Sequence, residues 1–236
     1  QKPPQYEEAL HLIHTSKDEE SLDWLLTLSD PSLIWNAALG SYDMDLAYLV
    51  AIHSQKDPQE YRSLLSRFKQ MEEKKKRYCI DMELKRWPQL LRDIRDLLVD
   101  GDCIDEELGD SNALWRQAVR LMKEKLLDDL FLELFDGTSF ASQAYQTHGE
   151  FLMEKGKYEA ALREFQACSP QPVEPMMTCA LHLGRGDLYL TLLFANQPDS
   201  CARISAIHRL CDSLRTGPRE HIKQCAQISV QIDILK

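Results

Sequence analysis

Long apolar runs are missing from this chain. The longest nearly apolar stretch, Leu188 to Ala195, has eight residues, far short of the ~20 that a helix needs to cross a bilayer, so no membrane span is expected. β-Branched residues are scarce too: Val occurs five times and, with Ile and Thr, the set reaches 24, against 36 Leu. Strand-type alternation is not sustained anywhere, and this composition favours helix over sheet. Positive charge is in deficit, with 28 Lys and Arg against 38 Asp and Glu and a formal charge of −10. A module that grips nucleic acid by neutralising phosphates carries the opposite balance, so such contact would have to come from a local patch. The seven cysteines, at 79, 103, 168, 179, 201, 211 and 225, are odd in number and contain no C-x-x-C. Free thiols in a reducing compartment are expected, rather than a disulfide framework or a zinc site. The opening Gln1-Lys2-Pro3-Pro4 lacks Met and the apolar core of a secretion signal, and reads as the cut end of a longer chain.

What is present is helical spacing. Leu46, Leu49, Val50 and His53 follow i, i+3, i+4, i+7, and Tyr61, Leu64, Leu65 and Phe68 repeat it. Leu90, Leu91, Ile94, Leu97 and Leu98 form a third stripe, and Leu126, Leu127, Leu130, Phe131 and Leu134 a fourth. In Asp57-Pro58-Gln59-Glu60 the carboxylate can cap free amides and Pro58 suits a first turn, so a helix should begin there. The pattern predicts about fourteen helices joined by short turns. Breaks are expected near Asp30-Pro31, Gly40-Ser41, Gln55-Lys56-Asp57, Gly101, Asp136-Gly137, Gly156, Ser169-Pro170, Gly184-Arg185-Gly186, Gln197-Pro198 and Gly217-Pro218. No long Gly, Ser or Pro linker divides the chain, so residues 1–236 are read as one segment.

Between Tyr145 and Cys168, Gly149 and Ala161 stand twelve residues apart, Leu152 and Phe165 fill apolar positions, and Gly156 to Ala161 supplies a turn and helix entry. This is the spacing of a tetratricopeptide-type hairpin, in which small residues permit close helix contact. The fold expected is all-α, with irregular hairpins stacked as an α-solenoid. The last residues, Ile228, Ile232 and Leu235, stay apolar where a terminal repeat would be polar, and further chain is expected after them.

No constellation assembles a reaction centre. His11 and His14 lie at i and i+3 without the further ligands of a metal site. Asp100 to Asp110 begins like a calcium loop, but Ile104 and Asp105 occupy positions that require a ligand and Gly. Gly184-Arg185-Gly186 lacks the third Gly and preceding strand of a dinucleotide loop. No catalytic, cofactor-binding or metal residues are therefore assigned, and no cofactor is expected. The basic run Lys74, Lys75, Lys76 and Arg77 is the one candidate contact for nucleic acid or a partner. Glu72 and Glu73 precede it, and adjacent helical residues point in different directions, which favours a solvated face.

Ala38-Leu39-Gly40-Ser41-Tyr42-Asp43-Met44-Asp45-Leu46 and Ser54-Gln55-Lys56-Asp57-Pro58-Gln59-Glu60-Tyr61 resemble the family of the largest, scaffold subunit of the Elongator complex. That family is also called the IkappaB-kinase-complex-associated protein. The resemblance continues through Met71-Glu72, Ile80-Asp81, Leu84-Lys85-Arg86 and Gly149-Glu150-Phe151-Leu152-Met153 with Tyr158-Glu159, covering roughly residues 33 to 195. It implies a C-terminal helical-repeat segment of a chain with preceding β-propellers and a following dimerisation region. It further implies a non-catalytic scaffold for tRNA wobble-uridine modification, with the catalytic subunit and a second propeller subunit as partners. The homodimer would form through the full-length protein, tRNA would be met mainly through other parts of the complex, and the location would be cytoplasmic, with the nucleus as a second site. A scaffold of a vesicle coat or ciliary transport complex, and a direct RNA-binding helical module, are the competing readings.

Overall fold

The computed structural model describes residues 6–16, 18–54, 56–101 and 110–196, together with 207, 208 and 210. Among these residues thirteen helices follow one another and no strand occurs. The chain divides into two compact units, Gln1–Leu127 and Asp128–Lys236. The first holds α1 (Tyr6–Ser16), α2 (Glu19–Leu28), α3 (Pro31–Gly40), α4 (Met44–His53), α5 (Pro58–Gln70), α6 (Glu73–Glu83), α7 (Trp87–Asp100) and α8 (Ser111–Lys125). The second holds α9 (Asp128–Phe135), α10 (Ala141–Glu154), α11 (Tyr158–Ala167), α12 (Val173–His182) and α13 (Gly186–Asn196). The helices expected beyond Asn196, and most of the acidic stretch after Asp100, lie outside the described residues.

Aspartate starts many of these helices. Asp18, Asp30, Asp43, Asp57 and Asp110 each cap a following helix by accepting a backbone N–H, which satisfies donors that have no partner within the helix. Pro31 and Pro58 stand in the first turns behind two of these caps, where the missing N–H costs nothing. Sequential helices then pack on one another, α3 on α4, α4 on α5, α6 on α7 and α7 on α8, with α1 returning to α3. Leu10, Leu22, Ile34, Leu39, Leu46, Val50, Leu65, Phe68 and Ile80 close a common core across α1 to α6. All five stripe residues of α7 are buried.

In the second unit the same neighbour-to-neighbour pattern runs from α9 to α13. Leu152, Ala161, Leu162, Phe165, Met176 and Cys179 form one core there. The hairpin expected at Tyr145 to Cys168 is α10 and α11, and the atoms nearest the Gly149 position belong to the Phe165 ring. A Cβ added to Gly149 would lie 2.5 Å from the Phe165 ring, so an aromatic edge fills the space that glycine leaves open.

The stripe from Leu126 to Leu134 does not form one helix. Leu126 ends α8 in the left-handed region, at φ 54°, and is 68% exposed, while α9 starts at Asp128. Breaks of this kind also occur at Tyr42 (φ 62°) and Lys85 (φ 56°).

Candidate partner interface around α6

The basic run lies in the first half of α6, on a helix whose N-cap, Glu72, makes no side-chain cap bond. Glu73 takes over much of the local electrostatics. Its Oε2 lies 2.5 Å from Lys76 Nζ and its Oε1 3.3 Å from Arg77 Nε. The Lys76 hydrogen bond, chiefly, holds the Glu73 carboxyl below its ordinary range, with Arg77 adding to it against the opposing effect of burial. Lys74 turns the other way, its Nζ 2.5 Å from Asp100 Oδ2 at the end of α7. Arg77 also spreads over the Tyr42 ring, 5.2 Å from its centroid. Lys75 is half-buried on the same helix. The structure thus brings Lys74, Lys76 and Arg77 to carboxylates of their own unit, so much of the charge that would meet a phosphate is already matched.

Behind that face sits a polar lock. Asp81 on α6 is fully buried, and its Oδ2 accepts a 2.7 Å hydrogen bond from the Tyr42 hydroxyl, which crosses from the turn between α3 and α4. Arg86, in the short link to α7, donates from Nη1 to the Gly40 carbonyl at 2.8 Å and brings Nε to 3.5 Å from Asp81 Oδ1. Nη1 also lies 3.4 Å from Glu7 of α1. A Cβ at Gly40 would collide with Nη1 of Arg86, so a side chain there would have to displace the guanidinium from this position. Burial, first, and the Asp81 hydrogen bond, second, push the Tyr42 hydroxyl well above its ordinary value. Asp93 of α7 reaches the same carboxylate. Burial and then its hydrogen bond to Asp81 push its carboxyl up to about 8. Asp81 Oδ1 and Asp93 Oδ2 are buried without a donor, an arrangement that one proton between the two carboxyls answers.

Gly40, Tyr42, Asp81 and Arg86 all come from segments that carry the family resemblance, and they meet at one point although up to 46 residues separate them. Sequence reasoning singled out the segments but not this junction. The only local signal is a run of side chains able to bond, and nothing in the spacing pairs Tyr42 with Asp81.

Of the two histidines at i and i+3, His11 is exposed and His14 meets a carboxylate. His14 Nδ1 lies 3.4 Å from Asp43 and His53 Nδ1 2.7 Å from Asp23. Among the described residues no three His, Cys, Asp or Glu side chains group to hold a metal ion, and no helix is long and apolar enough to cross a membrane. In the second unit, Glu150, Glu154, Glu174, Tyr158 and His182 line an open cleft of about 610 Å³. The Tyr158 and His182 rings stack there with centroids 4.1 Å apart.

Comparison with known proteins matches residues 2–68 to the ELP1 alpha-solenoid family. Elongator complex protein 1 of Oryctolagus cuniculus is 34% identical over 167 residues, covering 68% of this chain and 11% of that protein. The Saccharomyces cerevisiae protein of the same name is 27% identical over 183 residues, covering 72% of this chain and 14% of its own length. That of Arabidopsis thaliana is 36% identical over 110 residues, covering 39% and 8%. The matched region spans about a tenth of these relatives, and the family model falls on the helices that supply Tyr42, Gly40 and the Asp57 cap. The chain is an all-α protein homologous to an α-solenoid segment of Elongator complex protein 1.

Proposed function

We propose that this protein acts as a non-catalytic scaffold within an Elongator complex and supports modification of the tRNA wobble uridine by positioning other subunits. The observation that supports this most is the family match over residues 2–68, joined to a described chain made of stacked helices. In this reading residues 1–236 act as one solenoid segment. The catalytic subunit and the second propeller subunit are its partners, the full-length protein pairs with itself, and the complex works in the cytoplasm and also in the nucleus. Vesicle-coat and ciliary scaffolds share helical periodicity, but the named relatives favour Elongator. The RNA-binding alternative rests on Lys74, Lys75, Lys76 and Arg77. The ion pairs of Lys74, Lys76 and Arg77 weigh against it.

Depletion of the protein in its own cells tests the reading. Modified wobble uridine, measured by mass spectrometry of purified tRNA, should fall and return on re-expression. Unchanged modification after complete depletion would overturn the proposal.

A further inference from the structure

Several cations of the first unit are matched to carboxylates. Lys69 meets Asp45, Lys74 meets Asp100, Lys76 and Arg77 share Glu73, and Arg86 sits between Asp81 and Glu7. Such pairing is expected on a chain with ten more acids than bases. One face of α8 does not show it, as Arg62, Arg67 and Arg92 elsewhere among the described residues of the unit do not. Arg116, Arg120 and Lys125 are exposed and have no carboxylate partner among the described residues, although Glu124 lies on the same helix. Arg116 gives its Nε to the Asn112 carbonyl, and Lys125 rests its ammonium over the Trp87 ring, 4.8 Å from the centroid.

Arg116, Arg120 and Lys125, three cations against the one carboxylate of Glu124, border a cleft of about 540 Å³ between α8 and the junction of α6 with α7. Its apolar wall consists of Trp87, Leu121 and Met82, the last 37% exposed. Gln117 is fixed inside it, accepting from the Tyr78 hydroxyl at 2.7 Å. Arg116 and Arg120 are one helical turn apart, so both guanidinium groups serve the same edge of the cleft.

We propose that this cleft is a docking site for an acidic peptide segment of a partner protein that carries an apolar anchor. Two guanidinium forks and an ammonium suit carboxylates, for which Arg offers paired donors. The Trp87, Leu121 and Met82 wall takes the anchor, and the Lys125 ammonium lies where it can move from the indole to an incoming carboxylate. A short peptide with few charges senses this local patch. A long polyanion also meets the field of a chain carrying −10, which disfavours RNA as the occupant. The inference rests on cleft geometry and charge and goes beyond the scaffold reading.

Fluorescence anisotropy tests it on the whole chain with a fluorescein-labelled peptide in which Glu alternates around a central Phe-Leu pair. Binding should weaken by about tenfold or more in Arg116→Glu with Arg120→Glu. A charge-matched control, Lys69→Glu with Arg163→Glu, should bind as the parent does. If the charge-reversal pair fails to fold, as read by circular dichroism, Arg116→Gln with Arg120→Gln replaces it and should weaken binding in the same sense. Absence of peptide binding, or equal loss in the control, would overturn the proposal. Tighter, cleft-dependent binding of a single-stranded oligouridine than of the peptide would overturn it too, and would assign the cleft to a polyanion.

Discussion

Tyr42 holds a backbone conformation that L residues with large side chains rarely adopt, at φ 62°. The hydroxyl bond to buried Asp81 and the guanidinium groups of Arg77 and Arg86 over the ring keep it there. Tyr42→Phe retains the ring but leaves Asp81 Oδ2 without its donor. Urea unfolding should show a loss of ~1–3 kcal/mol. Asp93 gives the same junction a pH dependence. The folded carboxyl, raised to about 8, keeps its proton where the unfolded one, at about 4, has lost it. The folded state therefore binds more protons in that window, and this contribution to stability is full below pH about 4 and lost as pH rises through about 8. The groups that face Asp93 are Asp81 and Arg77 from α6, and Asp96 from its own helix. Asp93→Asn should flatten the decline between pH 5 and 8 in a series of urea melts, in the region about 4 to 8 set by those values. A parent and variant that decline in parallel would mean that the proton is held elsewhere.

Helices were legible where one residue type carries the signal. Asp57-Pro58 predicts the start of α5, and the structure places Asp57 Oδ1 2.8 Å from the Gln59 amide. Glycine breaks were legible for a related reason, since Gly101 takes φ 67° at the end of α7. Leu126 and Lys85 follow their helices without glycine, so their turns escape a reading based on breakers, whereas Tyr42 follows Gly40, which such a reading does flag. The two kinds of exception respond differently to substitution. Leu126 is 68% exposed and has little packing to lose, so Leu126→Gly should relieve left-handed strain and raise stability by up to ~1 kcal/mol in thermal melts. Gly149 presents the opposite case, with the Phe165 ring against the position of a Cβ. Gly149→Val should force α10 from α11 and cost ~1–3 kcal/mol or more, with a lower melting temperature as the readout.

Across the whole molecule, helical periodicity identifies the class of fold, but the pairing of charges depends on which helices become neighbours. Glu73 lies close to Lys76 and Arg77 in sequence and its screening is readable from spacing. Asp100 is 26 residues from Lys74, and only the packing of α6 on α7 brings them together. Changing Lys74, Lys75, Lys76 and Arg77 together to Glu should therefore lower the melting temperature. It should leave wobble-uridine modification nearly unchanged when complexes with parent and variant subunits are compared at matched assembly.

The central claim, membership of an Elongator scaffold, is tested most directly by what the intact protein carries with it. Tagged protein purified from its own cells at mild salt, with nuclease present, should retain the Elongator catalytic subunit and the second propeller subunit in mass spectra. Repeated recovery of folded protein without the catalytic subunit would contradict the account.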